Sequence, residues 1–234
     1  MTQHMNEYGQ PIGAPLPEWQ VRHWPSYQVF TGQYCRLEPL SAEQHGRELY
    51  AAYSQANDGR DWTYMFAEPF ADEEAYLAYA KKIEQGRDPM HFAVIDLQSQ
   101  RAVGTLALMR IDASNGAVEV GHVAFSPLLK QTCMATEAHY LLMHYAFNQL
   151  GYRRYEWKCD SCNLPSRKAA LRLGFQFEGI FRQAVVYKGR NRDTCWFSLI
   201  DGEWPQLKQA FQRWLAVENF NADGTQRAKL EALR

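Results

Sequence analysis

Residues 118–151 constrain this chain more than any other stretch. Val118-Glu-Val-Gly-His-Val-Ala-Phe125 alternates like a strand, Lys130-Gln-Thr-Cys-Met-Ala-Thr136 is a short polar loop, and an apolar-faced segment follows. Ala138, Leu141, Leu142, Tyr145 and Ala146 fall at i, i+3, i+4, i+7 and i+8. That spacing predicts a helix over 135–150, with Leu150-Gly151 as its stop. The first turn of such a helix aims unpaired N–H groups back at the loop, a potential anion site. Taken alone, the loop is more readily a plain connection, since most strand-to-helix loops bind nothing.

The flanking segments complete an α/β domain. A strand is expected over 34–40. Ser41-Ala-Glu-Gln44 then reads as a capping box for a helix to about Tyr53. Asp72-Glu-Glu-Ala75 opens a second helix that ends near Gly86. Segments 91–97, 102–111 and 118–125 read as three antiparallel strands, the last two joined at Ser114-Asn-Gly116. Beyond the long helix come a strand at 153–159, a helix at 165–173 closed by Gly174, and strands at 175–188 and 193–200 joined by Gly189-Arg-Asn191. A final helix is expected over 203–217. Prolines at 11, 15, 17 and 25 make residues 1–28 an extended arm, with Trp19 and Trp24 to pin it. Residues 29–217 form the domain, and 218–234 a polar, frayed tail.

Composition removes several function classes. A net charge of −1 gives no case for nucleic-acid or membrane binding. No apolar run approaches membrane-spanning length, and the N-terminus lacks the order of a signal peptide. Five cysteines without a framework imply reduced thiols and a cytoplasmic setting. Cys159-Asp-Ser-Cys162 has the CxxC form but no second pair, so no metal is expected.

Three segments carry a resemblance: LLKQTCMATEA at 128–138, CDSCNLPSRKAALRLGF at 159–175, and FEGIFRQ with KGRNRDTCWFSLI over 177–200. In combination they resemble the GNAT acetyltransferase superfamily over about residues 33–204. The likeness is nearest to its ribosomal-protein N-terminal acetyltransferase branch. The resemblance implies a single domain with a mixed, mostly antiparallel sheet flanked by helices. It also implies a splay between two parallel strands, 118–125 and 153–159. Acetyl-CoA is the implied co-substrate, and a primary amine of a small molecule or a protein N-terminus the acceptor. The proline-rich arm can also meet a partner chain, which allows a homodimer. A binder of acyl-CoA without turnover, or a transferase with another acyl donor or acceptor, are the alternatives.

Residue by residue, the resemblance puts Lys130, Cys133 and Ala135 at the loop's three pattern positions, where relatives carry Gln or Arg, Gly, and Gly or Ala. Main-chain amides of Gln131, Thr132, Cys133, Met134, Ala135 and Thr136 would then grip the pyrophosphate. The edge at Val123, Ala124 and Phe125 would pair with the pantetheine arm. Cys133 departs from glycine; it is tolerable if it lies in the first helical turn. Asn163 caps the next helix and contacts pantetheine, and Ser166 serves the departing sulfur. Ala170 stands where many relatives use a tyrosine acid. An amine must be neutral to attack, so a base is useful. Glu119 is the first candidate, on a face shared with Gly121 and Val123, and Glu178 the second. His122 is expected on the opposite face, packed. Arg167 and Lys168 are candidates for the CoA phosphates.

Overall fold

The computed structural model describes residues 4–234. The first three residues of the arm lie outside them. In chain order come strands β1 (His4–Met5), β2 (Pro11–Ile12), β3 (Phe30–Thr31) and β4 (Cys35–Pro39), then helices α1 (Ala42–Tyr53) and α2 (Glu73–Ile83). Strands β5 (Met90–Asp96), β6 (Ala102–Asp112) and β7 (Ala117–Phe125) precede α3 (Cys133–His144). Strand β8 (Arg154–Asp160), α4 (Leu164–Leu173), β9 (Gln176–Tyr187), β10 (Arg190–Ile200) and α5 (Trp204–Leu215) complete the order.

Eight strands form one sheet in the order β3-β4-β5-β6-β7-β8-β10-β9. Every neighbour pair is antiparallel except β7–β8. That is the α/β architecture expected, in one domain with helices on both faces of the sheet. Leu49 of α1 and Tyr76 and Ala80 of α2 bury against Ala93, Ile95 and Ala102 on one face. On the other, Ala138 and Leu142 of α3, Leu173 of α4 and Phe211 of α5 bury against Phe92, Leu106, Val120 and Tyr155. Each fully buried side chain of this size contributes about 1.5–3 kcal/mol of transfer free energy.

Local chemistry explains most boundaries. Ser41 caps α1 by accepting from Gln44 N, but the reciprocal half of the box is absent. The Ser41 amide instead donates to His45 Nδ1 at 3.1 Å, and His45 Nε2 lies 3.0 Å from Glu38. Thr132 caps α3 with its hydroxyl on Ala135 N, so this helix starts two residues before the expected position. Its last turn is also not α: Tyr145–Gln149 is a π turn, closed by Leu150 N on Tyr145 O. Strand β10 starts earlier than expected because the β9–β10 turn has two central residues, Lys188 and Gly189, both at positive φ.

The arm is pinned as expected at Trp19, whose indole donates to Ser114 O and packs over Gly116. Trp24 is exposed instead. The expectation of a frayed tail fails. Leu230 is fully buried in the core beside α5, and Phe220 packs on Trp214. A few apolar side chains suffice to dock a segment that is polar on average.

Candidate active site

The β7–β8 ladder runs only from Ala117↔Arg154 to Val120↔Trp157. Beyond that rung the strands part, leaving the β8-facing edge of residues 121–125 and the facing edge of 158–160 without each other. A wedge-shaped seam opens there, and the loop to α3 closes its wide end. Of the six amides expected to face an anion, Thr132 N donates to Leu129 O and Ala135 N to the Thr132 hydroxyl. Those of Gln131, Cys133 and Met134 donate to no oxygen of the chain. Gln131 takes the left-handed conformation, φ 61°, while Cys133 is already helical. A Cβ at position 133 therefore carries no backbone strain. Burial pushes the Cys133 thiol up, which favours a packed, inert sulfur over a reactive one.

Strand β7 carries a bulge between Gly121 and Ala124, where three steps on β7 match two on β6. His122 sits at its centre with φ 48°. The bulge reverses the alternation. Val118 and Val120 face α3, and so do Val123 and Phe125. Glu119 and Gly121 face the other way: a Cβ on Gly121 would lie 3.6 Å from Glu119 Oε1. Val123 thus does not share the Glu119 face. His122 does, with its ring 5.0 Å from that of His91, which pairs with Ala107 on that side. Strict alternation carried through His122 puts both residues on the opposite faces, and the bulge overturns it.

Glu119 is 4% exposed, and its Oε2 lies 2.7 Å from Arg110 Nη1 and 2.8 Å from Lys158 Nζ. Lys158 also meets Glu156 Oε2 at 2.7 Å and sits 3.8 Å above the Trp196 ring. Burial opposes the charge on Glu156, but Lys158 and Arg154 outweigh it and hold its carboxyl below the usual range. Arg154 grips Glu178 with two bonds of 2.8 and 2.6 Å, holding that carboxyl down to about 2. Both candidate bases therefore belong to one ionic network on the face opposite α3. Lys158 had no place in the expected site, although its strict alternation with Trp157 puts it on the Glu119 face.

On the α3 side, Asn163 caps α4 through Ser166 N at 3.1 Å, as expected. The Ser166 hydroxyl accepts from the Trp157 indole at 3.0 Å, so it stands beside the last rung before the seam. Ala170 is buried in the core. Arg167 donates to Ser161 O. Lys130 is ion-paired with Asp61. The aromatic segment 59–66 reaches both walls, since Tyr64 donates to Cys162 O at 3.2 Å while Asp61 holds Lys130 on the opposite loop. Among the described residues no cluster of His, Cys, Asp and Glu could hold a metal ion, and no helix is long and apolar enough to cross a membrane.

This geometry agrees with what the chain is similar to. A family model described as an acetyltransferase (GNAT) domain matches residues 35–176. A GCN5-related N-acetyltransferase structure from Brucella melitensis superposes with a TM-score of 0.92 at 50% identity, covering 93% of this chain and 99% of that one. An uncharacterized N-acetyltransferase, p20, from Bacillus licheniformis is 34% identical over 48% of this chain, a match spanning 63% of that relative. A ribosomal-protein-S5-alanine acetyltransferase from Vibrio fischeri aligns with a TM-score of 0.58 at 17% identity, over 76% of this chain and 98% of that one; this shows the fold alone. With its wedge between parallel strands, its unpaired helix-start amides and these relatives, the chain belongs to the GNAT acetyltransferase superfamily.

Proposed function

We propose that this acetyltransferase moves an acetyl group from acetyl-CoA to a primary amine of a small molecule or a protein N-terminus, by direct attack in a ternary complex. The observation that carries this reading is the seam that opens after Val120↔Trp157 and leads to the three unpaired amides of Gln131, Cys133 and Met134. Those amides suit a pyrophosphate, and the unpaired edge of residues 121–125 suits the peptide-like pantetheine arm. Acetyl-CoA supplies the activated acyl group. The chain supplies position: a main-chain N–H near the bulge to polarise the thioester carbonyl as charge develops, and Ser166 to meet the sulfur. Glu119 takes the amine's proton, directly or through water, while Arg110 and Lys158 fix its carboxylate beside the bulge.

The ribosomal-protein branch is favoured by Asn163, Ser166 and the LGFQFEG stretch at 173–179, and a protein N-terminus is accordingly the first acceptor to try. Thiol release from acetyl-CoA across a panel of amines and N-terminal peptides tests the reaction, with products read by mass shift. Glu119→Gln is expected to lower kcat at least about ten-fold while leaving the Kd for CoA within about two-fold. Unchanged kcat in a folded Glu119→Gln variant would remove the base role.

A further inference from the structure

Along the open face of the sheet, opposite α3, the charges fall into two groups. Near Glu119 they cancel: Arg110, Arg154 and Lys158 are ion-paired with Glu119, Glu156 and Glu178. At the wide end of the seam they do not. Asp160 ends β8 past the last rung, and its Oδ2 accepts from the Tyr187 hydroxyl at 2.7 Å. Two guanidinium groups lie against that one phenol ring, their central carbons 5.5 Å (Arg190) and 5.8 Å (Arg192) from its centre. Arg190 donates to Thr63 O at 2.9 Å, and Arg192 Nε to the Thr194 hydroxyl at 3.1 Å; neither forms an ion pair among the described residues. The neighbouring Lys188, by contrast, is matched by Glu68.

Arg192 is the better placed of the two. Thr194 lies opposite Asp160 across β8–β10, so the bond to Thr194 keeps Arg192 on the Asp160 face. The ring of Phe66, from the segment over the mouth of the seam, stands 5.9 Å from its guanidinium carbon. The two Nη groups meet no acceptor in the chain and are not sealed from solvent. A partly buried charge beside a like charge costs free energy, and no carboxylate of the chain offsets it. A neutral side chain of similar length would cover the same rings without that cost. An arginine held by its Nε, with its Nη edge free, presents the planar fork that grips a carboxylate through two bonds.

The position of the fork bears on the acceptor. Val123 and Asp160 stand equally far past the last rung, so an amine attacking a thioester beside the bulge arrives near the level of Asp160. Arg192 is two residues beyond Thr194, about 6.6 Å along the strand. That is about the distance from a terminal amine to an acidic side chain on the second residue of an extended peptide. We propose that Arg192 selects acceptors that carry a carboxylate: an N-terminal segment with an acidic second residue, or a small amine with a carboxylate at the same distance. This rests on the acetyl-transfer reading above and adds the charge of the acceptor to it.

Thiol release is measured with acetyl-CoA and C-terminally amidated peptides of one sequence that carry Glu, Gln or Lys as second residue, with free glutamate as the small-molecule arm. The kcat/KM for the Glu peptide is expected to exceed that for the Gln peptide about ten-fold, the worth of one charge-assisted contact. Arg192→Gln should bring the two together, and Arg192→Glu should reverse the order in favour of the Lys peptide. The Kd for CoA should stay within about two-fold in both variants, which shows that they fold. Turnover of free glutamate above that of every peptide, lost in Arg192→Gln, supports the assignment and makes a small molecule the source of the carboxylate. A Glu peptide no better than the Gln peptide, with no arginine-dependent turnover of glutamate, overturns the assignment, as does a preference that survives Arg192→Gln. A loss of CoA affinity in both variants overturns it too, since the fork would then meet a CoA phosphate. No thiol release with any of these acceptors, in a protein that binds CoA, overturns the acetyl-transfer reading itself, and this inference with it.

Discussion

Glu137 shows how much one side chain can organise here. Its buried carboxylate accepts the amides of Gln33, Tyr34 and Cys35 at 2.6–2.7 Å, tying α3 to the turn before β4. Gly32 permits this approach, since a Cβ there would fall within 2.6 Å of the carboxylate atoms. Glu137→Ala leaves three amides without that acceptor, and each costs about 1 kcal/mol or more when buried. A loss of at least about 3 kcal/mol is expected in urea unfolding; a loss below about 1 kcal/mol would show that water replaces the carboxylate. The carboxylate's role was not legible in the sequence, because nothing local to ATEA marks a bond to residues a hundred positions earlier. His139 was more accessible: Ala135, His139, Leu142 and Ala146 follow helical spacing, and that series alone marks the residue as inward-facing.

Among the elements, the helices and strands were legible wherever caps and periodicity agreed. Ser41, Asp72, Asn163 and Gly174 mark ends that the backbone respects. The bulge in β7 was harder to read: Val120 and Val123 stand three apart, out of step with strict alternation, but the left-handed residue is His122 rather than the adjacent glycine. The 59–66 segment was equally opaque: an aromatic irregular run gives no register, yet it spans the mouth of the seam. Asp61 there holds Lys130, the side chain expected to meet phosphate. Removing that competing charge should help the ligand. Asp61→Asn is expected to tighten CoA binding by up to about five-fold, the range of an exposed ion pair, with the gain shrinking at high salt. Weaker binding in that variant would mean that Asp61 orders the loop rather than competing for Lys130.

At the scale of the whole molecule, two of the buried histidines sit on opposite sides of one sheet: His91 of β5 on the α1–α2 side and His139 on α3 itself. Burial lowers both to about 3, the charge of His122 adding at His91 and that of Arg172 at His139. The unfolded chain binds these protons near pH ~6.5, the folded chain only near 3. Stability is therefore whole above ~6.5 and drains as pH falls toward the folded values. By pH 5 the loss is about 2 kcal/mol per histidine. Urea midpoints measured from pH 7.5 to 5 should fall accordingly, and a flat profile would show that one or both rings protonate in place.

The fold as a whole was legible because its order of elements is distinctive, and the parallel pair because a strand, a helix and a strand in succession make parallel neighbours; the splay between them followed only from the family resemblance. Which ionic groups line the seam was not, since Arg110, Glu119, Glu156 and Lys158 meet only after the sheet has assembled. Hydrogen–deuterium exchange with and without acetyl-CoA tests the central claim most directly. Protection should rise at the amides of Gln131, Cys133 and Met134 and at those of 121–125 that face β8 rather than β6, which the free protein leaves unpaired. Binding that leaves those amides exchanging at their free rates, with protection elsewhere, would contradict the account.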